Sequence, residues 1–71
     1  MKKERLAALL RQVRLDANLT QLQLAEKIGQ TQSYVSKYES GEQRLDLLEL
    51  EAVSEAVGIS LSDFVMRYLE G

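Results

Sequence analysis

Apolar residues near the start of the chain recur with the period of an α-helix. Four of them follow the i, i+3, i+4, i+7 spacing of one face of an amphipathic helix: Leu6, Leu9, Leu10 and Val13. This pattern predicts a first helix over roughly residues 3–17, ended by Asn18. No segment alternates apolar and polar residues as a half-buried strand does, so the pattern as a whole predicts an all-α fold.

The later helices are marked by their starts. Three pairs of residues have the spacing of an N-cap and its capping-box partner: Thr20 with Gln23, Asp46 with Glu49, and Ser60 with Asp63. Apolar residues flank each pair as a hydrophobic staple: Leu19 and Leu24, Leu45 and Leu50, and Ile59 and Phe64. Asp63 is the weakest of the box partners because its side chain is the shortest.

These starts predict the remaining helices of a compact five-helix domain that spans residues 1–71. The capped helices are expected near residues 21–28, 47–57 and 61–69. Gly58 lies where a left-handed residue ends the fourth helix. A shorter helix, near 32–39, is expected between Thr31 and the Ser40-Gly41 pair.

The composition narrows the possible chemistry. The chain has 71 residues and contains no Cys, His, Trp or Pro. Such a short chain folds as one domain near the lower size limit, without disulfides or Cys/His metal sites to stabilise it. Cysteine nucleophiles and histidine bases are excluded as well. The carboxylates of Glu49, Glu51 and Glu55 are spread over an exposed helix face, so we expect neither an enzyme nor a bound metal or cofactor.

Nothing in the sequence indicates a membrane segment. The apolar runs are only a few residues long, far below the roughly 20 that span a bilayer. Charged residues at the N-terminus, in the stretch 1–5, stand where a signal peptide would begin its apolar part. Because the lack of cysteine also fits a reducing compartment, we expect a cytoplasmic protein.

Charge is distributed unevenly along the chain. The net charge of −2 hides a front segment, residues 1–19, with five basic and two acidic side chains. Residues 20–44 are neutral overall, and residues 45–71 carry one basic and six acidic side chains. A polyanion could therefore meet the front of the chain and would be repelled by its end.

The stretch from residue 21 to residue 40 has the spacing of a helix-turn-helix. Ala25 is small and lies in the middle of the first of the two helices, where the second must cross closely. Gly29 lies where the chain leaves that helix and is expected to have a positive φ, which glycine tolerates. Val35 is a stiff apolar residue that faces back into the angle between the helices.

The second helix of this pair has one polar side that stands out. At about 100° per residue, its apolar residues Tyr34, Val35 and Tyr38 fall on one side. The opposite side, here called the polar arc, contains no acidic and no large apolar residue: Gln32, Ser33, Ser36, Lys37 and Ser40. A DNA major groove admits an α-helix and offers hydrogen-bonding patterns to such side chains, so this arc favours base recognition over an ordinary solvated face.

Two segments now establish a resemblance. Leu19–Gly29 (LTQLQLAEKIG) and Thr31–Gly41 (TQSYVSKYESG) resemble the motif of the lambda-repressor/Cro type, or Xre-type, helix-turn-helix DNA-binding domains. The resemblance covers residues 6–66. It implies five helices, the second and third forming the motif, and a transcriptional regulator that binds a palindromic operator as a symmetric dimer. Small members include phage repressors, restriction–modification controllers and antitoxins, which points to a bacterial or phage origin.

The resemblance also implies roles for individual residues. Four side chains match the positions that read base edges: Gln32, Ser33, Ser36 and Lys37. Three match positions that contact the DNA backbone: Gln21, Ser40 and Arg44. Gln32 is the expected partner of adenine and Lys37 of guanine, since those base edges suit an amide and a cation. The helix N-terminus at Gln21 favours a phosphate in its own right.

Two other matches are structural, and one departure affects DNA binding. Arg14 matches a first-helix position that pairs with the acidic residue at Glu39, which predicts a partly buried ion pair between the first and third helices. Many relatives carry a basic residue directly after the glycine and a proline soon after it. Here Glu42 follows Gly41 and proline is absent, so weaker phosphate contacts and modest nonspecific affinity are expected.

Surplus apolar residues in the last two helices predict a homodimer. Two sets are expected to face inward: Leu47, Leu50, Val53 and Val57 in the fourth helix, and Leu61, Phe64, Val65 and Tyr68 in the fifth. This leaves Leu48, Met66 and Leu69 outside, and with the 42–46 loop they form the expected interface. Scattered exposed apolar residues that need no partner are the alternative interpretation.

Two classes of function remain open at this point. The leading hypothesis is a sequence-specific regulator that occupies promoter DNA, as a repressor or as an activator that touches RNA polymerase. No inducer domain is expected after residue 71, so control through the dimer equilibrium is the natural expectation. The other class is a protein-interaction adaptor or antitoxin-like module with little DNA activity. The acidic balance favours the adaptor, whereas the polar arc favours the regulator.

Overall fold

The computed structural model describes residues 2–71, with side chains described from residue 4 onward. This part of the chain forms five α-helices and no strand: α1 (Lys2–Asp16), α2 (Gln21–Ile28), α3 (Gln32–Glu39), α4 (Leu47–Ala56) and α5 (Leu61–Glu70). The all-α, five-helix prediction is therefore confirmed. The ends of α1, α4 and α5 each differ by one residue from the expected bounds, and those of α2 and α3 agree.

The helix starts follow from local side-chain chemistry. In α2 the Thr20 hydroxyl accepts from the Gln23 N–H at 3.0 Å, and the Gln23 side chain accepts from the Thr20 N–H at 2.9 Å. Asp46 and Glu49 form the same reciprocal box at the start of α4. These bonds satisfy donors that the first helical turn leaves without partners.

The third predicted capping box is only half formed. At the start of α5 the Ser60 hydroxyl accepts from the Asp63 N–H at 3.0 Å, but the Asp63 carboxylate does not return the bond. An aspartate is one methylene shorter than a glutamate, so its oxygen stops short of the cap N–H. Ser60 is thus an N-cap alone, and α5 begins where expected without the box.

One apolar core joins all five helices. Its fully buried members are Leu10, Val13, Leu24, Ala25, Val35, Tyr38, Val53 and Phe64. The α2–α3 pair contributes the most deeply buried of these, since Leu24, Ala25 and Val35 are entirely inaccessible to solvent. Burial of this kind is the dominant favourable term in folding, so the core fixes the angle between α2 and α3.

Two residues assigned to the inward stripes lie outside. Leu47 is 65% exposed and Val65 is 39% exposed. Leu47 lies in the first turn of α4, one turn ahead of the point where Leu50 and Val53 reach the core. Val65 lies about 100° around α5 from the buried Phe64, on the flank of the stripe rather than along it. Leu47 and Val65 therefore join the exposed apolar residues of α4 and α5.

The last helix is fastened to the first by polar contacts. Arg67 pairs with Asp16 at 3.2 Å, and the Arg5 guanidinium lies 4.8 Å from the centre of the Tyr68 ring while donating to the Tyr68 carbonyl. The pKa of Asp16 lies below its usual value, mainly because of a hydrogen bond from Gln12 and also because of the hydrogen bond from Arg67. Among the helices described, none is long and apolar enough to cross a bilayer.

Candidate nucleic-acid interface

The turn between α2 and α3 is set by Gly29. Its φ of 69° and ψ of 32° place it in the left-handed region, as its position predicts. In this conformation the Gly29 N–H bonds to the carbonyls at the end of α2, and the Gln30 N–H bonds to the Ala25 carbonyl at 2.9 Å. Thr31 then caps α3 by accepting from the Tyr34 N–H at 3.2 Å. Glycine adopts the left-handed region without the steric cost of a Cβ, so this residue defines the turn.

Val35 and Tyr38 hold α3 against the body of the protein. Val35 is completely buried and Tyr38 is 1% exposed. The Tyr34 ring meets the Tyr38 ring edge to face, with 5.6 Å between the ring centres. Such aromatic pairs stabilise beyond the area that they bury. The inner side of α3 is therefore firmly anchored, which fixes the direction of its outer side.

The polar arc lies on that outer side. All five of its side chains are exposed: Gln32, Ser33, Ser36, Lys37 and Ser40. Within the described part of the chain, Gln32, Ser33, Ser36 and Lys37 make no side-chain hydrogen bond. Their donors and acceptors are thus available to an external partner. No carboxylate lies among these four residues, so a negatively charged partner meets no charge repulsion from them.

Arg14 and Glu39 form the ion pair that was expected between α1 and α3. Arg14 Nε lies 2.7 Å from Glu39 Oε2 and Arg14 Nη2 lies 3.0 Å from Glu39 Oε1, a bidentate contact in which both side chains are nearly buried. Arg14 Nη1 also donates to the Leu19 carbonyl at 2.8 Å. The hydrogen bond to Glu39 raises the pKa of Arg14. The pair thus fixes the end of α3 to α1.

Two of the three expected backbone-contacting residues already have protein partners. Gln21 Nε2 donates to Glu39 Oε1 at 3.2 Å, so the amide is held at the start of α2 by the same carboxylate that binds Arg14. The Ser40 hydroxyl lies 2.9 Å from Glu42 Oε2 and 3.0 Å from the Lys37 carbonyl. Glu42 therefore accepts a hydrogen bond from the Ser40 hydroxyl and brings a negative charge to the end of the polar arc. Arg44, the third of these residues, is exposed.

Sequence reasoning missed two features of α3. The Tyr34 hydroxyl donates to Glu49 Oε2 in α4 at 3.0 Å, and burial of the ring, with this bond, raises the pKa of Tyr34 to about 12. The Tyr38 hydroxyl is buried without a hydrogen-bond partner in the described part of the protein, and burial raises its pKa further. Neither feature has a signal in the sequence, because both depend on how helices distant along the chain pack.

No metal centre is formed by the residues that the structure describes. Groups of three or more acidic side chains close enough to hold an ion are absent from residues 4–71. The outer side of α3 presents one amide, three hydroxyls and one lysine ammonium group. Such groups form hydrogen bonds and ion pairs with a ligand.

Comparison with known proteins identifies the class. A helix-turn-helix family model matches residues 10–64, which is most of the chain. The protein therefore belongs to this family, the lambda-repressor-like or Xre-type helix-turn-helix proteins. Among the sequences of curated proteins, no significant match was found.

Solved structures show which members of the family the chain is similar to. The clp gene regulator ClgR of Corynebacterium glutamicum is 30% identical, with a TM-score of 0.87 over 99% of this chain and 90% of that one. The wild-type restriction–modification controller protein C.Esp1396I is 21% identical, with a TM-score of 0.90 over 99% and 92% of the two chains. The C.Esp1396I tetramer in complex with its natural 35 base-pair operator matches with a TM-score of 0.89, at 21% identity over 99% and 92% of the chains. At 21% identity the likeness to the controller protein is one of fold.

Proposed function

We propose that this protein is a transcriptional regulator that binds double-stranded DNA in a sequence-specific manner and inserts α3 into the major groove. The observation that carries the proposal is the polar arc. Its side chains are exposed, and those of Gln32, Ser33, Ser36 and Lys37 make no hydrogen bond among the described residues, while the buried inner side of α3 anchors the helix behind them. Membership of the helix-turn-helix family and the similarity to the regulator ClgR support it.

Base recognition is assigned to the polar arc by the chemistry of its groups. The Gln32 amide carries both an acceptor and a donor, which match N6 and N7 of adenine. The Lys37 ammonium suits the two acceptors of guanine, and the hydroxyls of Ser33 and Ser36 can bond to either kind of base edge. Each well-matched pair contributes about 1–3 kcal/mol of discrimination between bases.

Contacts with the DNA backbone are assigned to Gln21, Arg44 and Ser40. The N-terminus of α2 provides backbone N–H groups for a phosphate, and Glu39 holds the Gln21 side chain at that place. Arg44 supplies a positive charge beyond the end of α3. Ser40 is expected to contribute least, because Glu42 occupies its hydroxyl.

We further propose that the regulator acts as a homodimer on a palindromic operator. Leu48, Leu69 and Met66 are 74%, 70% and 54% exposed, and together with the 42–46 loop they are the surface assigned to the partner subunit. A two-fold axis there would set the two α3 helices about 34 Å apart, in successive major grooves. Occupation of promoter DNA would then repress transcription, and contact with RNA polymerase from the same position would activate it.

The decisive experiment selects bound duplexes from a random DNA pool and measures their affinity by fluorescence anisotropy. We expect a recurring inverted repeat. Lys37→Ala should weaken binding to the selected site by roughly tenfold, the loss of one matched base contact. Lys27→Ala is the matched control, because Lys27 is an exposed lysine on α2 outside the polar arc. It removes the same charge and should change affinity much less.

The competing function gives a different outcome in the same experiment. A protein-interaction adaptor would select no recurring sequence from the pool and would bind every duplex alike. Equal losses for Lys37→Ala and Lys27→Ala would likewise contradict base recognition by α3, because only general charge would then matter.

A further inference from the structure

The Tyr34 hydroxyl joins the recognition helix to the fourth helix. Tyr34 lies in α3 between Ser33, on the polar arc, and the buried Val35. Its hydroxyl leaves α3 on the inner side and donates to Glu49 Oε2, 3.0 Å away in α4. The bond is therefore a direct polar link between these two helices.

Glu49 uses its two carboxylate oxygens for different helices. While Oε2 accepts from Tyr34, Oε1 accepts from the Asp46 N–H at 2.8 Å, and Asp46 Oδ1 in turn accepts from the Glu49 N–H at 2.8 Å. The capping box thus fixes the Glu49 side chain against the start of α4. The acceptor that Tyr34 meets is consequently held in place before any bond to α3 forms.

The exposed apolar residues of α4 lie within this same capped turn. Leu47 and Leu48 stand between Asp46 and Glu49, and their side chains are 65% and 74% exposed. The first turn of α4 therefore both exposes these leucines and carries the carboxylate that accepts the hydrogen bond from Tyr34. One carboxylate lies between the recognition surface and the surface assigned to the dimer.

We propose that Tyr34 and Glu49 form a positioning pair that sets the angle between the recognition helix and the dimer-forming helix, and thereby the spacing of half-sites that the dimer accepts. This inference rests on the proposed function. A dimer reads two half-sites at once, so a small rotation of α3 relative to the two-fold axis displaces both recognition helices from their grooves. Val35 and Tyr38 pack α3 against the apolar core, and the Tyr34–Glu49 hydrogen bond fixes the orientation of α3 relative to α4.

The test is a comparison of operators that differ only in half-site spacing. The selected inverted repeat and versions with one base pair inserted or removed between its halves are titrated with wild-type protein and with Tyr34→Phe. Phenylalanine keeps the ring that packs on Tyr38 and removes only the hydroxyl. We expect Tyr34→Phe to lose roughly tenfold in affinity for the best spacing, because the orientation of α3 must then be fixed at the expense of binding free energy. Its preference among spacings should become flatter, while its affinity for nonspecific DNA stays unchanged.

A second variant separates positioning from direct contact with DNA. Glu49→Ala should flatten the spacing preference as Tyr34→Phe does, and the double variant should be no worse than either single one. Glu49→Gln should restore most of the preference, because its amide oxygen can accept from the Asp46 N–H while its amide nitrogen donates to the oxygen of the Tyr34 hydroxyl. Glu51→Ala is the control, since it removes an exposed carboxylate from the same helix.

The outcomes distinguish the two proposals. If Tyr34→Phe costs as much in the Glu49→Ala background as in wild type, its hydroxyl acts on DNA directly and the positioning pair is refuted. An unchanged spacing preference in Tyr34→Phe refutes it as well. If the wild-type protein selects no DNA site at all, the proposed function is refuted, and this inference, which depends on it, is refuted as well.

Discussion

The α2–α3 region and the α4–α5 region treat their apolar residues in opposite ways. In α2 and α3 the large apolar side chains, Leu22 apart, turn inward, and the outer face of α3 is polar. In α4 and α5, by contrast, Leu47, Leu48, Met66 and Leu69 are all more than half exposed. The first region buries its large apolar residues within one chain, whereas the second leaves apolar surface exposed, and this is the surface where we propose that a second subunit binds.

Charge divides the same two regions. Residues 20–44 carry equal numbers of acidic and basic side chains, and two of the acidic ones, Glu39 and Glu42, are engaged with Arg14 and Ser40. Residues 45–71 carry six acidic side chains against one basic. An acidic surface is repelled by DNA, so the contrast supports the proposal that the α2–α3 side faces the duplex.

The largest expected effect concerns the ion pair that completes the α2–α3 region. Glu39→Ala leaves the buried Arg14 guanidinium without an opposite charge, although its bond to the Leu19 carbonyl remains, and should lower the free energy of unfolding by about 3–5 kcal/mol. Urea denaturation followed by circular dichroism measures it. Glu42→Ala, which removes an exposed carboxylate, is the control and should change stability by less than about 0.5 kcal/mol. A small loss for Glu39→Ala would mean that the region does not depend on this pair.

The turn between the two helices should be the next most sensitive point. Gly29 has a φ of 69°, and an added Cβ would meet no atom within 4 Å. Gly29→Ala should therefore cost only the backbone penalty of about 1–2 kcal/mol, whereas Gly29→Val should cost more because β-branched residues tolerate positive φ poorly. Thermal unfolding of the two variants gives the comparison. Equal stability of both with the wild type would show that the turn adopts another conformation.

Substitutions on the exposed apolar surface of α4 and α5 should change the dissociation constant of the dimer rather than the stability of the fold. Leu48→Glu places a charge on the proposed interface, and we expect the dimer to dissociate at least roughly tenfold more readily. The midpoint for unfolding of the monomer should barely change, since Leu48 is 74% exposed. Sedimentation equilibrium measures the association. Leu22→Glu, at an exposed leucine on α2, is the matched control, and an equal effect of both variants would contradict the assigned surface.

The smallest expected effect is an increase in stability on removal of the Tyr38 hydroxyl. Tyr38 is anchored in the core with its hydroxyl unpartnered, so Tyr38→Phe removes a desolvated polar group and keeps the ring. We expect the free energy of unfolding to rise by about 1 kcal/mol. Differential scanning calorimetry at neutral pH is sufficient to detect it. A loss of stability instead would show that the hydroxyl has a partner in solution, such as a bound water.

The sequence predicted local features well because their causes are local. Helix starts depend on residues three apart, so Thr20 and Asp46 marked α2 and α4 correctly, and Gly29 marked its turn. The composition of one helix face likewise required only the helical period, which places Lys37 outward and Val35 inward. The roles of the polar arc in reading DNA stay predictions.

What the sequence could not supply are the contacts between helices far apart along the chain. The Tyr34–Glu49 bond spans fifteen residues, and nothing in either residue's neighbourhood indicates it. The exposure of Leu47 and Val65 depends on how far along and around α4 and α5 the neighbouring helices make contact, which the i, i+3, i+4, i+7 spacing does not specify. The half-formed box at Ser60 is different, because the short side chain of Asp63 already marked it in the sequence as the weakest of the three.

The central claim is that the polar arc enters the major groove, and nuclear magnetic resonance of the protein with its selected duplex tests it most directly. We predict intermolecular Overhauser effects from Gln32, Ser36 and Lys37 to cytosine H5 and thymine methyl protons, which line the major groove. Such effects confined to adenine H2, in the minor groove, or arising mainly from α4 and α5, would contradict it.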